Sequence, residues 1–187
     1  MNDHPLEILF ADAVRKARRL VGGAGPTERS VPLIVDSLRE LAKTPGLKEG
    51  IPLRPLHRGT AAGNVLASEG RDGITLFLAR LSPEAPTPIH DHGAWGIAYV
   101  FDGRDRYLRW SIPGEVEGPT RVPLQLRYER VLETGDYEWY APPDDIHSQQ
   151  GKGGYAWELI VLGRNIALFP RRYFDPGTGR VTIIHPE

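Results

Sequence analysis

Short runs of strand-forming residues alternate with turn signals from Gly50 onward, and this alternation restricts the chain to a β-rich fold. Glycine and proline supply the turns, and they account for 21 and 17 of the 187 residues. Many short antiparallel strands without long helices between them predict a sandwich or a small barrel. The predicted strands are residues 62–68, 74–81, 87–90, 95–101, 106–112, 124–132, 136–140, 146–149, 156–162 and 181–184.

Two amphipathic helices are predicted before the strands. Apolar residues recur at intervals of three and four over about residues 5–20, and again over residues 31–43, where Ser30 is a candidate N-cap. The chain length suits one domain with a full hydrophobic core. We expect residues 1–50 to form a helical cap on a β-barrel of residues 51–187.

Charge and cysteine content exclude several classes of function. The formal net charge is −1 and no polybasic run occurs, so nucleic acid and anionic membrane surfaces are not expected partners. Cysteine is absent, which excludes disulfides, thiolate metal ligands and a cysteine nucleophile. The sequence contains no apolar run of the roughly 20 residues that a membrane helix needs and no signal-peptide pattern. We therefore expect a cytoplasmic protein.

Two histidines lie together at the entry to a predicted strand. His90 and His92 share one face of an extended segment, while Asp91 points to the other face. The run 97–101 is rich in β-branched and aromatic residues and closes at the turn signal Asp102-Gly103. Two imidazoles that project together can hold one metal ion.

A third histidine, His147, ends a second strand-turn-strand segment at residues 135–147. It would complete a set of three nitrogen ligands with open positions for substrate or water, which is the layout of a catalytic metal site. Imidazole suits Fe, Zn, Cu and Ni, so the ligands alone do not select the metal. His57 lies in a predicted loop, and we expect a structural or surface role for it.

The two histidine segments, 86–103 and 135–147, resemble the two motifs of the cupins. In the second motif Asp144 stands in place of the usual glycine. The glutamate that usually follows the histidine pair is missing, because residues 93–100 contain no acid. This omission is typical of the three-histidine branch of that superfamily.

Residues 87–96, 142–147 and 173–179 resemble the thiol dioxygenases, and most closely the bacterial enzymes similar to cysteine dioxygenase and 3-mercaptopropionate dioxygenase. The resemblance implies a mainly-β cupin barrel, a double-stranded β-helix or jelly roll, with N-terminal helices. It also implies Fe(II) on His90, His92 and His147, with O₂ and a small thiol or related organic anion as substrates. Zinc and nickel are the alternative metals.

The chain departs from that family in its substrate pocket. Gly96 occupies the position of the cysteine that the mammalian enzymes cross-link to tyrosine. The usual serine-histidine-tyrosine relay aligns with Glu158, Ile160 and Leu162, so it is missing. The arginine that binds the carboxylate in cysteine dioxygenase aligns near Gly63 and is also missing. We therefore expect a substrate other than cysteine.

Several other side chains are candidates for the site. Glu158 and Tyr140 are candidate catalytic residues; Glu158 either accepts a proton or binds an amine, or it pairs with an arginine inside the barrel. Arg171 and Arg172 resemble the late arginine of the mercaptopropionate branch, and arginine suits bidentate binding of a carboxylate. The candidate substrate-binding residues are Arg171, Arg172, Arg58, Tyr99 and Trp95.

Two other kinds of function remain open from the sequence. One is a metal-dependent cupin hydrolase or isomerase that uses a metal-bound water and no O₂. The other is a non-catalytic cupin that binds a small ligand. The missing relay keeps both open, and the sequence leaves the oligomeric state undetermined.

Overall fold

The computed structural model describes residues 5–114 and 120–186, apart from the side chains of Pro5 and Arg58. Within these ranges the chain forms two helices, α1 (Pro5–Val21) and α2 (Ser30–Leu41), followed by twelve strands. The strands are β1 (Arg54–Leu56), β2 (Ala61–Ser68), β3 (Thr75–Leu81), β4 (Ile89–His90), β5 (Gly96–Asp102), β6 (Asp105–Ser111), β7 (Gln125–Leu132), β8 (Tyr137–Tyr140), β9 (His147–Gly151), β10 (Ala156–Leu162), β11 (Arg171–Phe174) and β12 (Val181–Ile184).

The strands form two six-stranded sheets in which every pairing is antiparallel. The first sheet has the order β1-β2-β3-β10-β5-β8, and the second has the order β12-β11-β4-β9-β6-β7. The eight strands from β3 to β10 divide between the sheets as in a double-sheet jelly roll, the architecture of the cupins. The predicted fold class, mainly β with two N-terminal helices, is therefore confirmed.

The helices cover the outer face of the first sheet. Phe10 of α1 and Leu38 of α2 are buried in one core with Leu76, Leu78 and Tyr99 of the sheet. Because successive strand residues point to opposite faces, the residues that alternate with Leu76, Leu78 and Tyr99 along their strands point into the barrel. The central strands β3, β5 and β10 of the first sheet are buried on both faces, which explains why they read as nearly continuous apolar runs rather than as alternating ones.

The ends of several elements differ from the prediction. The predicted strand 87–90 shortens to β4, since Pro88 has no N–H to donate to a neighbouring strand. Strands β1 and β11 lie outside the predicted set. Strand β1 has only three residues and pairs with the neighbouring β2, whereas β11 pairs with the distant β4, which local β-propensity does not indicate. Ser30 is the first residue of α2 and not its N-cap; its hydroxyl accepts the N–H of Thr27 at 2.8 Å.

Candidate metal centre

The structure brings the three predicted ligand histidines together from two segments. His90 ends β4, His92 follows it in the next loop, and His147 begins β9, where it is the direct cross-strand partner of His90. All three side chains are buried, and one ring nitrogen from each lies within 4.8 Å of the others. These residues therefore form a compact set of three nitrogen donors that a single metal ion could share.

Hydrogen bonds on the outer side of the rings orient two of the histidines. The Nδ1–H of His90 donates to the carbonyl of Pro88 at 2.9 Å, and that of His147 donates to the carbonyl of Asp145 at 2.8 Å. Each bond leaves the lone pair on Nε2, as in protein metal sites. The buried Nδ1 of His92 has no hydrogen-bond partner within residues 5–114 and 120–186. The donor set thus fits a metal ion.

The three rings are neutral at neutral pH. Burial lowers the pKa of His90 to about 4, and it lowers the pKa values of His92 and His147 well below the ordinary histidine range. A metal ligand must be unprotonated, so burial prepares these side chains for binding. No carboxylate belongs to the described donor set, so a bound divalent ion keeps its full charge.

Two tyrosines form walls beside the histidines. The ring of Tyr140 lies 4.9 Å from that of His147 and 5.9 Å from that of His92, and Tyr107 stacks on His147 at 5.5 Å. Tyr140 also lies over Gly96, where a Cβ atom would be 2.4 Å from the tyrosine hydroxyl. A side chain at position 96 would therefore displace Tyr140.

Arg109 is a buried cation near the centre that the sequence analysis missed. Its Cα lies opposite that of His147, and its guanidinium donates to Glu138 and to the carbonyl of Trp139, both at 3.1 Å, and also to the carbonyl of Asp144. These bonds occupy the cation in structural contacts. The alternation of residues along β6 was the available signal, since it places every second side chain of that strand inside the barrel.

His57 and Tyr173 also lie beside the histidines. The ring of His57 is 4.5 Å from that of His90, and Tyr173 stacks on His90 at 5.8 Å. The Tyr173 hydroxyl and Nδ1 of His57 are 3.3 Å apart. His57 is half-buried, and its structural or surface role stays a prediction. Burial lowers the pKa of His57 well below the ordinary value, with a smaller contribution from His90 and then from the cation of Arg171.

The backbone of His57 is in the left-handed region, with a φ of +50°. Such a conformation is uncommon for a residue with a side chain and is concentrated at functional sites. No local pattern marked this residue, because its position depends on the turn that joins β1 to β2.

The two adjacent arginines of β11 have different surroundings. The Nε–H of Arg172 donates to the buried carboxylate of Asp91 at 2.6 Å, on the outer face of the second sheet. The predicted substrate role of Arg172 is therefore wrong, because Asp91 occupies its guanidinium. Arg171 lies on the same strand face as Tyr173 and has no ion-pair or hydrogen-bond partner within the described parts of the chain. The side chain of Arg58 lies outside the described residues.

Two predicted aromatic residues contact the helix side of the barrel. Tyr99 belongs to the core beneath α1 and α2, with the guanidinium of Arg39 6.0 Å from its ring. The prediction that Tyr99 lines the substrate pocket is wrong, because it occupies the face of β5 opposite to the barrel interior. Trp95 packs against Gly163 and the same helix core. Its substrate-binding role stays a prediction.

Glu158 lies in a buried polar cluster with Asp105 and Gln149. The side-chain amide of Gln149 donates to Glu158 at 2.9 Å and to Asp105 at 2.9 Å. The alternative that Glu158 pairs with an arginine is therefore wrong. Burial raises the pKa of Asp105 to about 7, and burial together with the charge of Asp105 raises that of Glu158 well above its ordinary value. The catalytic roles of Glu158 and Tyr140 stay predictions.

The structure also explains two departures from the thiol dioxygenase pattern. A Cβ atom on Gly63 would lie 2.4 Å from the ring of Phe77, so this position has no room for an arginine. Ile160 and Leu162 pack with Tyr140 in an apolar cluster inside the barrel. No proton relay can therefore run along this face of β10.

Comparisons with known proteins give distant structural likenesses. No protein-family model and no curated protein matches the sequence. Among solved structures, an RmlC-like cupin protein from Ralstonia eutropha is 14% identical with a TM-score of 0.49, covering 72% of this chain and 73% of that one. KdgF from a Halomonas species is 14% identical with a TM-score of 0.46, covering 66% and 97%. The DMSP lyase DddQ from Ruegeria pomeroyi is 15% identical with a TM-score of 0.45, covering 84% and 75%.

These likenesses are weak, so the chemistry of this chain has to follow from its own residues.

None of the helices within residues 5–114 and 120–186 has the length and apolar character needed to cross a membrane.

Proposed function

We propose that this protein is a non-haem Fe(II)-dependent dioxygenase of the thiol dioxygenase type, which adds O₂ to a thiol or related small organic anion other than cysteine. The observation that carries the proposal is the set of three buried, neutral imidazoles with no carboxylate among them. Three neutral ligands favour binding of an anionic substrate to the ion, since they leave its charge uncompensated.

His90, His92 and His147 would hold the ion, and Fe(II) bound there would supply the activation of O₂ and the coordination of a thiolate. The surrounding side chains orient the substrate and exclude water. Tyr140 and Tyr107 cover the histidines on one side with aromatic surface. This packing keeps the reacting atoms in a site of low dielectric constant.

Arg171 is the residue we assign to the substrate carboxylate. It lies two residues before Tyr173 on the same strand face and has a guanidinium free of acidic partners in the described structure. His57 presents an imidazole and Tyr173 a hydroxyl next to His90, and both groups can donate hydrogen bonds to the substrate head group.

Oxygen uptake by the iron-loaded protein tests the proposal. The panel is 3-mercaptopropionate, mercaptosuccinate, cysteine and cysteamine. We expect uptake and a sulfinate product with the carboxylate-bearing thiols, little reaction with cysteamine, which has no carboxylate, and none in His92→Ala. The absence of uptake with every thiol would contradict the proposal.

A metal-dependent hydrolase or isomerase is the second candidate, and the apolar residues Ile160 and Leu162 favour it because they replace the relay. In this case the ion would activate a bound water molecule. Stoichiometric zinc or nickel in the purified protein, with no consumption of O₂, would support this candidate over the dioxygenase.

A further inference from the structure

A long groove opens beside the three histidines and has a volume of about 1060 Å³. The three ligand histidines are not among the lining residues, but His57 and Tyr173 line the groove and also contact His90, so these two side chains lie between the groove and the centre. Pockets for drug-sized ligands have volumes of about 300–1,000 Å³. The lining residues belong to both faces of the second sheet, because Leu108 and Ser148 alternate with the centre-facing Tyr107 and His147. Only part of this volume therefore lies on the side of His57 and Tyr173.

One face of the β11–β12 hairpin forms a wall of this groove. Arg171 is the cross-strand partner of Ile184, and Tyr173 is the partner of Thr182, so these four side chains point the same way. All four line the groove. A cation therefore lies directly beside an apolar side chain, and Ile184 is 48% exposed although it is large and hydrophobic.

Apolar side chains line another part of the groove. They include Leu56, Ile166 and Phe169, and Ile166 continues into the apolar cluster that contains Tyr140. The guanidinium groups of Arg164 and Arg71 lie 4.1 and 4.6 Å from the ring of Phe169. The acidic side chain on the groove is already occupied, since Asp175 accepts hydrogen bonds from the N–H groups of Gly177 and Thr178 at 2.9 and 2.8 Å.

We infer that the groove binds the substrate itself, and that the substrate is a carboxylate with an extended apolar body. Arg171 binds the carboxylate at the inner end, and the apolar body lies between Leu56, Phe169 and Ile184. The guanidinium of Arg171, which has no ion-pair partner among the described residues, makes this part of the groove complementary to an anion, and the apolar walls gain free energy from each methylene that they cover. This inference rests on the proposed function for the position of the reacting group.

Equilibrium binding of a homologous series of straight-chain carboxylates, from propionate to decanoate, tests this without any reaction. The series contains no thiol, so titration calorimetry on the purified protein reports the groove alone. We expect the Kd to fall about two- to fourfold for each added methylene. A Kd that does not change with chain length, or no binding of any member, would overturn the inference.

Three variants show where the chain of the ligand lies. Ile184→Ser and Phe169→Ser should weaken decanoate binding about fivefold or more and weaken propionate binding much less. Leu168→Ser is the matched control, since Leu168 is 45% exposed and lies next to Phe169 but not on the groove. An equal effect of Leu168→Ser, or no effect of the other two variants, would overturn the assignment.

The same measurements separate this inference from the proposed function and from another occupant. Chain-length-dependent binding without O₂ uptake from any mercapto acid supports the groove and contradicts the dioxygenase. Uptake of O₂ with short thiols, together with a Kd that is independent of chain length, would support the dioxygenase and contradict the groove assignment. Dimerisation that Ile184→Ser abolishes, again with no dependence on chain length, would show that a second copy of the chain fills the groove and would overturn the inference.

Discussion

The carboxylate of Asp145 accepts the backbone N–H of Gly93 at 2.8 Å, and it joins the two histidine segments directly. The same oxygen also accepts the N–H of His92 at 3.2 Å. Asp145 thus fixes the loop that carries one ligand, while its own carbonyl orients the ring of His147. Residues that orient ligands in this way tune metal affinity.

Asp145→Ala should therefore weaken metal binding about 10- to 100-fold, because the His92 loop loses its anchor. Competition with a chelator of known affinity measures the change. Asp144→Ala is the control, since the side chain of Asp144 is exposed and the hydrogen bonds found for this residue are made by its backbone. Equal losses in both variants would show that Asp145 has no specific role.

His92→Ala should abolish stoichiometric metal binding, whereas His57→Gln should retain the metal. The reason is that His92 belongs to the donor set and His57, which contacts the set, does not. Elemental analysis of the purified proteins decides this. A loss of metal in His57→Gln as complete as in His92→Ala would make His57 a fourth ligand.

Arg171→Gln should affect substrate binding, whereas Arg172→Gln should affect stability. Arg171→Gln should raise the KM for an anionic substrate about tenfold or more with little change in the free energy of unfolding, because the guanidinium makes no ion pair or hydrogen bond with a described residue. Arg172→Gln should lower the free energy of unfolding by about 1–3 kcal/mol, since it leaves the buried Asp91 without its cation. Urea unfolding and steady-state kinetics check both. Matching effects on KM would refute the assignment.

Stability should fall as the pH rises from about 6.5 to about 8. Asp105 has a pKa of about 7 in the folded state against 3.8 in the unfolded state, and the pKa of Glu158 is also raised. The folded state therefore binds more protons, so the free energy of unfolding decreases as the pH rises through this window. Below pH 6.5 the buried histidines act in the opposite sense, because their pKa values are lowered.

Glu158→Gln should flatten this decrease, since it removes one acid and the charge that acts on the other. Urea midpoints at several pH values measure the slope. Glu40→Gln, at an exposed ion pair on the surface, should keep the slope of the original protein. Identical slopes in all three proteins would mean that Asp105 and Glu158 do not titrate in this pH range.

Local sequence determined the β-rich fold, the two amphipathic helices and the placing of His90 beside His92 as candidate metal ligands. The reason is that alternation, helical periodicity and the spacing of His90 and His92 are properties of neighbouring residues. The two-residue spacing predicted that Asp91 points away from the pair, and Asp91 bonds Arg172 on the outer face.

Only the tertiary structure decided which other side chains surround the centre. His57 and Tyr173 are 116 positions apart in the sequence, and they meet because β11 pairs with β4 while the turn before β2 reaches the same place. The choice between Arg171 and Arg172 likewise depended on which face of β11 turns toward the histidines. Such contacts depend on how distant strands pair, and a local residue pattern does not specify that pairing.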